Sequence, residues 1–347
     1  MTILNLMLGK GRGGLEQASL DYAEALAAAS IPSHSVLSPG AWAAEAFAHT
    51  GLPIHLLANH GRLDLLAPGR LRRLAARLQA TAILCHGNRA LSLALRAYGP
   101  SPTARARRHH PAILAVAHNA STRRFHHLDA CFAITQHAAE GLRAAAVPHV
   151  HWMPNMVRPA PARTATDFRS PPVLGSMGRF VEKKGFADWL AALALLKQQG
   201  IAFRALLGGD GDEAPHLQQL IETYNLTAEV ERIGWVADKQ AFFAALDLFI
   251  LPSRIEPFGI VLLEAMAHGV PVISTDADGP REILSEPGLG TLVPKTNPTA
   301  LANAMATALA QPDATLAAAH RAMPHVIAQY GVAAMAARLR DALAGYR

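Results

Sequence analysis

Cysteine is nearly absent: Cys85 and Cys131 are the only two in 347 residues. Two distant thiols, each inside an apolar strand-like run, build neither a disulfide framework nor a zinc site, so both are assigned to the core. Charge is sparse too, at 17% of residues, while 51% are hydrophobic and the mean hydropathy is +0.16. That balance excludes a disordered chain and suffices for two ordinary domains. No apolar run approaches the roughly 18 residues that a bilayer span needs, because Arg, His, Pro or Gly interrupts each one. Met1 to Leu8 lack a basic flank and run directly into Gly9-Lys10-Gly11-Arg12. They read as a first strand rather than a secretory leader, which predicts a cytoplasmic location.

Acidic residues are scarce in the first half. Residues 1–160 hold 16 Lys+Arg against 7 Asp+Glu, whereas the remainder holds 16 against 19. The excess gathers at Arg70, Arg72, Arg73 and Arg77, at Arg105, Arg107 and Arg108, and at Arg123 and Arg124. Such clusters either attract anionic headgroups and phosphorylated substrates or form a solvated arginine-rich helix face. Nucleic acid is not expected as a partner, since no aromatic residues interleave with these arginines and no binding motif accompanies them.

What is present is an alternation of short apolar strands with longer helical patterns. Strands are predicted at Thr2 to Leu8, His34 to Leu37, Ile54 to Leu57, Ala82 to Cys85, Ile113 to Ala117 and Cys131 to Thr135, with a first helix from Leu15 to Ala28. That rhythm means a parallel sheet with helices on both faces. A Pro-rich passage from Pro154 to Pro172 has no periodicity, and the alternation restarts at Val173. Strands follow at Phe203 to Leu207, Val230 to Ile233, Leu248 to Leu251 and Val272 to Ser274, with helices such as Phe186 to Gln198 and Ala241 to Leu246. The reading is α/β with two doubly wound, Rossmann-like domains, 1–158 and 172–325. A last helix follows in 326–347, from Val326 to Tyr346.

Three segments carry chemistry. Gly9-Lys10-Gly11-Arg12-Gly13-Gly14 fits G-x-G-x-x-G after a strand and before a helix. Yet no Asp or Glu lies between Glu24 and Glu45 to hold a dinucleotide ribose. The loop is left either as a phosphate-approaching turn at a helix N-terminus or as a structural turn. In Glu256-Pro257-Phe258-Gly259-Ile260-Val261-Leu262-Leu263-Glu264, an apolar helix is opened by the N–H groups of Phe258, Gly259 and Ile260 and carries one carboxylate, Glu264. A carboxylate there is costly if dry, so Glu264 should face a polar cleft or ligand, with Glu256 beside the anion site. The alternative pairs Glu256 with Arg254 and Glu264 with an arginine. In Gly178-Arg179-Phe180-Val181-Glu182-Lys183-Lys184-Gly185, Arg179 and Lys184 either hold a diphosphate or belong to a solvated loop in which Glu182 pairs with its neighbours.

The E-x7-E spacing from Glu256 to Glu264, the loop Gly178 to Gly185, Gly208-Gly209-Asp210-Gly211, Gly234-Trp235-Val236 and Gly13-Gly14-Leu15-Glu16 together resemble the family 4 retaining glycosyltransferases. The resemblance covers most of the second domain and is weaker in the first. It implies a GT-B fold, with the two domains facing each other across a cleft and the last helix crossing back to the first. It also implies roles. Glu264 would bind the nucleotide ribose, Glu256 would contact the donor sugar, and Arg179 and Lys184 would hold the diphosphate with the N–H groups of Phe258, Gly259 and Ile260. Gly13 and Gly14 would approach the diphosphate from the first domain, and Gly234 and Trp235 would frame the base. His118, at a strand end in Val116-Ala117-His118-Asn119, resembles the family's active-site histidine; by the residues alone, a structural histidine bonded to backbone fits as well. One departure is Asp278, which stands where the family usually has the first glycine of a pair before a Pro-containing turn. The D-x-D match that Asp276 and Asp278 create is not read as a metal site, nor is Asp210-Gly211-Asp212.

The resemblance thus implies a metal-independent retaining transferase without a resident cofactor. Its donor would be a nucleotide sugar, with UDP favoured over GDP or ADP, while the basic first domain predicts an acceptor, a glycan or glycolipid hydroxyl, that is phosphorylated, lipid-linked or at the inner membrane surface, such as a lipopolysaccharide core or other envelope glycolipid. The basic first domain adds the expectation of peripheral contact with the anionic inner face of the plasma membrane. A nucleotide-sugar epimerase and a non-catalytic glycan-binding or assembly subunit are the rival readings.

Overall fold

The computed structural model describes residues 1–11, 13–61, 64–107, 110–118, 125–161 and 167–346. Arg12 of the glycine-rich loop, Arg108, Asn119, Arg123 and Arg124 lie outside them. Two compact units are present, Met1–Met156 with Tyr330–Arg347, and Val157–Gln329.

The first unit is built on a parallel sheet of seven strands: β1 (Ile3–Met7), β2 (Ser33–Leu37), β3 (Ile54–Leu56), β4 (Ala82–His86), β5 (Ala112–Ala117), β6 (Ala130–Ala133) and β7 (Val150–Trp152). Its helices are α1 (Gly14–Ala28), α2 (Trp42–Ala48), α3 (Ala67–Arg77), α4 (Gly87–Tyr98), α5 (Pro102–Arg107) and α6 (Gln136–Ala144). The spatial order is β3-β2-β1-β4-β5-β6-β7. The chain therefore winds outward from β1 in one direction and returns to continue from β4 in the other. β1, β4 and β6 are buried along their whole length, which is why they read as unbroken apolar runs rather than alternating ones. Cys85 and Cys131 are fully buried, and burial raises both thiols, Cys131 to about 12.

The second unit repeats the plan with β8 (Val173–Met177), β9 (Arg204–Gly208), β10 (Val230–Gly234), β11 (Leu248–Leu251), β12 (Val272–Thr275) and β13 (Thr291–Val293), in the order β10-β9-β8-β11-β12-β13. Its helices are α7 (Phe186–Gln198), α8 (Ala214–Thr223), α9 (Lys239–Ala244), α10 (Ile260–Ala267), α11 (Asp278–Ile283), α12 (Pro298–Ala310) and α13 (Pro312–Tyr330). Trp189, Leu190 and Leu193 of α7 anchor its core against β8, β9 and β11. The fold is α/β with two Rossmann-like parallel sheets.

Two features correct the sequence reading. The single helix predicted from Val326 to Tyr346 is broken at Gly331, whose backbone is extended; α14 (Val332–Leu343) starts afresh there and packs on α1 within the first unit. Arg105, counted above in a surface cluster, is 1% exposed. Its guanidinium donates to Asp129 Oδ2 at 2.7 Å and to the carbonyls of Gly99 and His127, both at 2.7 Å, so it braces the core instead of attracting anions. β7 and β13, three residues each, are additions to the predicted strands.

Candidate functional site

In an open parallel sheet, ligands bind beyond the carboxyl ends of the strands, where neighbouring strands lead the chain in opposite directions. In the second unit that point lies between β8 and β11. The loop after β8 carries Arg179 and Lys184, and the loop after β11 carries Glu256. Gly185 locks the two together: with φ +66, it lies so close to the Pro252 carbonyl that an added Cβ would stand 2.0 Å from the oxygen. The N–H groups of Arg254 and Ile255 both donate to the Lys183 carbonyl, at 2.9 and 3.1 Å. Arg254 then reaches back to Asp188 through two 2.8 Å hydrogen bonds, which raise its pKa.

This clamp brings Lys184 Nζ to 2.5 Å from Glu256 Oε2, which also accepts from Ser253 Oγ at 3.2 Å. Glu256 is buried and Lys184 partly exposed, so the cation sits at the rim with the carboxylate beneath it. The alternative in which Glu256 pairs with Arg254 is thereby corrected, because Arg254 is committed to Asp188 and Glu182. Arg179, on the same loop, is exposed and its side chain has no ion-pair or hydrogen-bond partner among the described residues.

Gly259 caps α10 in the left-handed region, at φ +101, and aims the first turn of the helix at the strand ends. Leu262, Leu263, Ala265, Met266 and Ala267 are buried, while Ile260, Val261 and Glu264 form the one open stripe of the helix. Glu264 is not alone on it. Lys239 of α9 bonds its Oε1 at 2.5 Å, in place of the arginine of the alternative reading. Side-chain exposures of 46% for Lys239 and 18% for Glu264 leave this pair open to exchange with a ligand.

Asp278 disturbs nothing. It is exposed at the start of α11, whereas Gly279 makes the close approach: its N–H donates to the Glu256 carbonyl at 3.0 Å, and a Cβ there would stand 2.1 Å from the Phe258 carbonyl oxygen. The glycine that this packing demands is retained. Among the described residues, no group of three His, Cys, Asp or Glu is arranged to hold a metal ion. On the far side of β8, Gly209 and Gly211 touch the backbones of Gly178 and Phe180, and Gly209 N–H donates to the Gly234 carbonyl at 2.7 Å. Ile233 and Trp235 follow as exposed apolar side chains, 38% and 49% accessible, beside Gly234 at φ +69. A flat apolar surface at a strand end is suited to stacking a base.

The first unit has its own reversal between β1 and β4. Gly13 is the extended N-cap of α1 and Gly14 its first residue. Glu16 lies back over the loop, so a Cβ on Gly9 would meet its Oε1 at 2.5 Å. At the end of β4, His86 is buried, with Nε2 2.7 Å from Asn5 Oδ1. Because Asn5 donates its amide hydrogens to the Ser19 carbonyl and to Ser35 Oγ, its oxygen must accept, and His86 carries its proton on Nε2. His118 follows β5, with its ring 5.9 Å from that of His86 and its Nε2 buried without a partner among the described residues. Burial lowers His118 to about 4 and holds His86 well below the ordinary imidazole value, with His118 adding to the effect on His86.

Sequence reasoning missed Lys239, Ser253, the Arg254–Asp188 brace and His86. Lys239, Arg254 and His86 had no local signal, since each is defined by a partner distant in the chain, whereas Ser253 stands only three residues before Glu256.

Residues 163–324 match the family model described as glycosyl transferases group 1. The lipopolysaccharide core biosynthesis glycosyltransferase LpsE of Rhizobium meliloti is 40% identical over 122 residues, 35% of either chain. The putative colanic acid biosynthesis glycosyltransferase WcaL of Escherichia coli is 37% identical over 139 residues, 38% of this chain and 34% of its own. The matched stretch thus spans about a third of these relatives. The crystal structure of Anabaena Alr3699/HepE in complex with UDP-glucose superposes with a TM-score of 0.82 at 22% identity, covering 99% of this chain and 100% of that one. Residues 163–324 are thus similar to the group 1 glycosyl transferases.

Proposed function

We propose that the chain is a family 4 retaining glycosyltransferase that moves a sugar from UDP to a hydroxyl of an envelope glycan or glycolipid, without a metal ion. The observation that carries this reading is the Lys184–Glu256 couple at the β8/β11 reversal, beside the N-terminus of α10. A departing diphosphate develops negative charge, and Lys184, Arg179 and the first N–H groups of α10 supply fixed positive charge and dipole for it. With two cationic side chains in place, charge neutralisation needs no divalent ion. Glu256, held by Lys184 and Ser253, presents carboxylate oxygens to donor-sugar hydroxyls. Glu264 trades Lys239 for the ribose hydroxyls, and Gly234 with Trp235 frames the base.

Within the first unit, the candidate residues are His118 at the end of β5 and the Gly13–Gly14 turn at the start of α1. No side chain is assigned as a covalent nucleophile; the acceptor hydroxyl loses its proton to the leaving phosphate, and the sugar keeps its anomeric configuration. The relatives named for lipopolysaccharide core and colanic acid synthesis favour an envelope acceptor, and the neighbour bound to UDP-glucose favours a uridine donor.

The test is calorimetric titration with UDP, GDP, ADP and NAD, repeated on Glu264→Ala, followed by turnover with the matching sugar nucleotides in EDTA. UDP binding that weakens in the variant, with EDTA-resistant transfer and a retained anomer by NMR, is the expected result. Binding of NAD alone, or of no nucleotide, overturns the reading; binding without transfer to any envelope acceptor replaces it with the assembly-subunit reading.

A further inference from the structure

Beneath the strand ends of the first unit lies a group of buried polar atoms that the transferase reading leaves unused. Asn5 of β1 is fully buried and fully engaged: its amide nitrogen donates to the Ser19 carbonyl at 2.7 Å and to Ser35 Oγ at 3.3 Å, and its Oδ1 accepts from His86 Nε2 at 2.7 Å. This anchor leaves the His86 ring one unused atom, the Nδ1 lone pair, which is buried and has no partner among the described residues. Two more unpartnered buried atoms belong to the rings beside it. One is Tyr22 Oη, on a ring set edge-on to His86 at 5.1 Å; the other is His118 Nε2, on a ring at 5.9 Å. Unmet hydrogen-bonding groups are costly in an interior, and rings at this spacing leave their polar atoms within reach of one internal water, which takes such groups as its partners.

Proton accounting gives that bridge a direction. Burial raises the Tyr22 phenol well above its ordinary value, so its O–H is retained and has to donate. His86 Nδ1 is a bare lone pair and has to accept. A water between them accepts from Tyr22 and gives one proton to His86. Its second proton needs an acceptor, and His118 Nε2 is the unpartnered atom that remains. Were Nε2 to carry a hydrogen instead, the second O–H of the water would be left without an acceptor. His118 therefore accepts at Nε2 and holds its own proton on Nδ1. The residue is partly exposed while Nε2 is buried, so Nδ1 is the nitrogen turned outward. Because burial lowers His118 to about 4, the ring keeps a single proton at neutral pH, and the nitrogen that bears it decides what the ring can do.

We infer that His86, anchored by Asn5, is a positioning residue: through an internal water it holds His118 in the Nδ1–H tautomer and so makes His118 a hydrogen-bond donor, not a base, toward an oxygen of the bound substrate. The identity of that substrate rests on the transferase reading. An unconstrained histidine side chain favours the other tautomer, Nε2–H, so the preference has to be imposed from the interior. A neutral donor aimed at an oxygen stabilises the negative charge that develops there. It has no outward lone pair with which to take the acceptor's proton, and that proton is left to the departing phosphate.

The experiment is long-range proton–nitrogen correlation NMR of the full chain with isotope-labelled histidine, at neutral pH and without substrate. Wild type, His86→Gln and His86→Asn are compared, and His118→Asn assigns the His118 signals by their loss. The glutamine amide reaches Asn5 as Nε2 does but offers nothing in the place of Nδ1; the asparagine amide puts an oxygen in that place and gives up Asn5. In the wild type, His86 is expected as Nε2–H and His118 as Nδ1–H. In His86→Gln, His118 should revert to a mixture rich in Nε2–H while kcat falls on the order of 10- to 100-fold and the UDP Kd and donor KM stay within about twofold. His86→Asn should restore Nδ1–H and most of kcat. Wild-type His118 protonated on Nε2 overturns the proposal. So does a loss of kcat in His86→Gln with the His118 tautomer unchanged, which would make His86 merely structural, and so does His86→Asn restoring neither. Should a variant fold poorly, the wild-type spectrum decides alone. The expected tautomers without UDP binding would condemn the transferase reading and spare the histidine chain; UDP binding with His118 on Nε2 would do the reverse.

Discussion

The two units share a strand order outward from the first strand, and their carboxyl edges are nonetheless electrostatic opposites. In the second unit the edge is charged and paired: Lys184 with Glu256, Lys239 with Glu264, Arg254 with Asp188. In the first, the corresponding edge holds neutral imidazoles, His86 and His118, with burial keeping both unprotonated. Topology fixes where a ligand sits, and the residues at the strand ends decide what charge it carries. The paired edge suits a diphosphate; the neutral one suits uncharged, hydroxyl-bearing groups.

The comparison can be broken most forcefully at Lys184. Its removal leaves Glu256, whose side chain is 8% exposed, without its cation; Lys184→Ala should cost about 2 kcal/mol of stability and on the order of 100- to 1,000-fold in kcat, read by chemical unfolding and by steady-state transfer. Next come two glycines, both at positive φ. Gly185→Ala drives a Cβ into the Pro252 carbonyl and should destabilise by roughly 3 kcal/mol, whereas Gly99→Ala in the first unit, with nothing within 4 Å of the new carbon, should cost about 1 kcal/mol; urea unfolding separates them. A third test is pH. Unfolded histidines take up protons near pH 6.5 that the folded first unit refuses until about pH 4 at His118. The first unit should therefore lose stability as pH falls through that window, by up to about 1.4 kcal/mol per pH unit for each histidine. Hydrogen exchange at β4 and β5 would report the loss, and His118→Asn should lessen the slope. The smallest effects concern Glu264. Its change to Ala should weaken UDP roughly tenfold by calorimetry, and Lys239→Ala, which frees the carboxylate, should strengthen UDP about twofold.

The elements were legible where apolar runs meet clear punctuation. α7 follows Gly185 and β11 precedes Pro252, and both match the sequence reading to the residue. Three-residue edge strands such as β7 and β13 bury too little to leave a pattern, and the extended backbone at Gly331 is invisible in a run that is helical on either side. Of the candidate site, periodicity shows which face of α10 Glu264 occupies but not what stands opposite. Lys239 is 25 positions away, and Lys184 is 72 from Glu256. Arg105 was misread because its neighbours Arg107 and Arg108 suggested a surface cluster. Its burial is set by Asp129, 24 residues on, and by two carbonyls that no sequence rule marks as acceptors.

The break at Gly331 has a bearing on the order of synthesis. α14 buries Met335, Ala336, Leu339, Ala342 and Leu343, packs on α1, and is followed by Tyr346, whose hydroxyl donates to the Asp129 carbonyl at 2.7 Å. All the strands of the second unit leave the ribosome before this helix does. The unit whose strands are made first is therefore completed last, and its nascent form must keep the α1 face in a soluble state while the later unit is already folding.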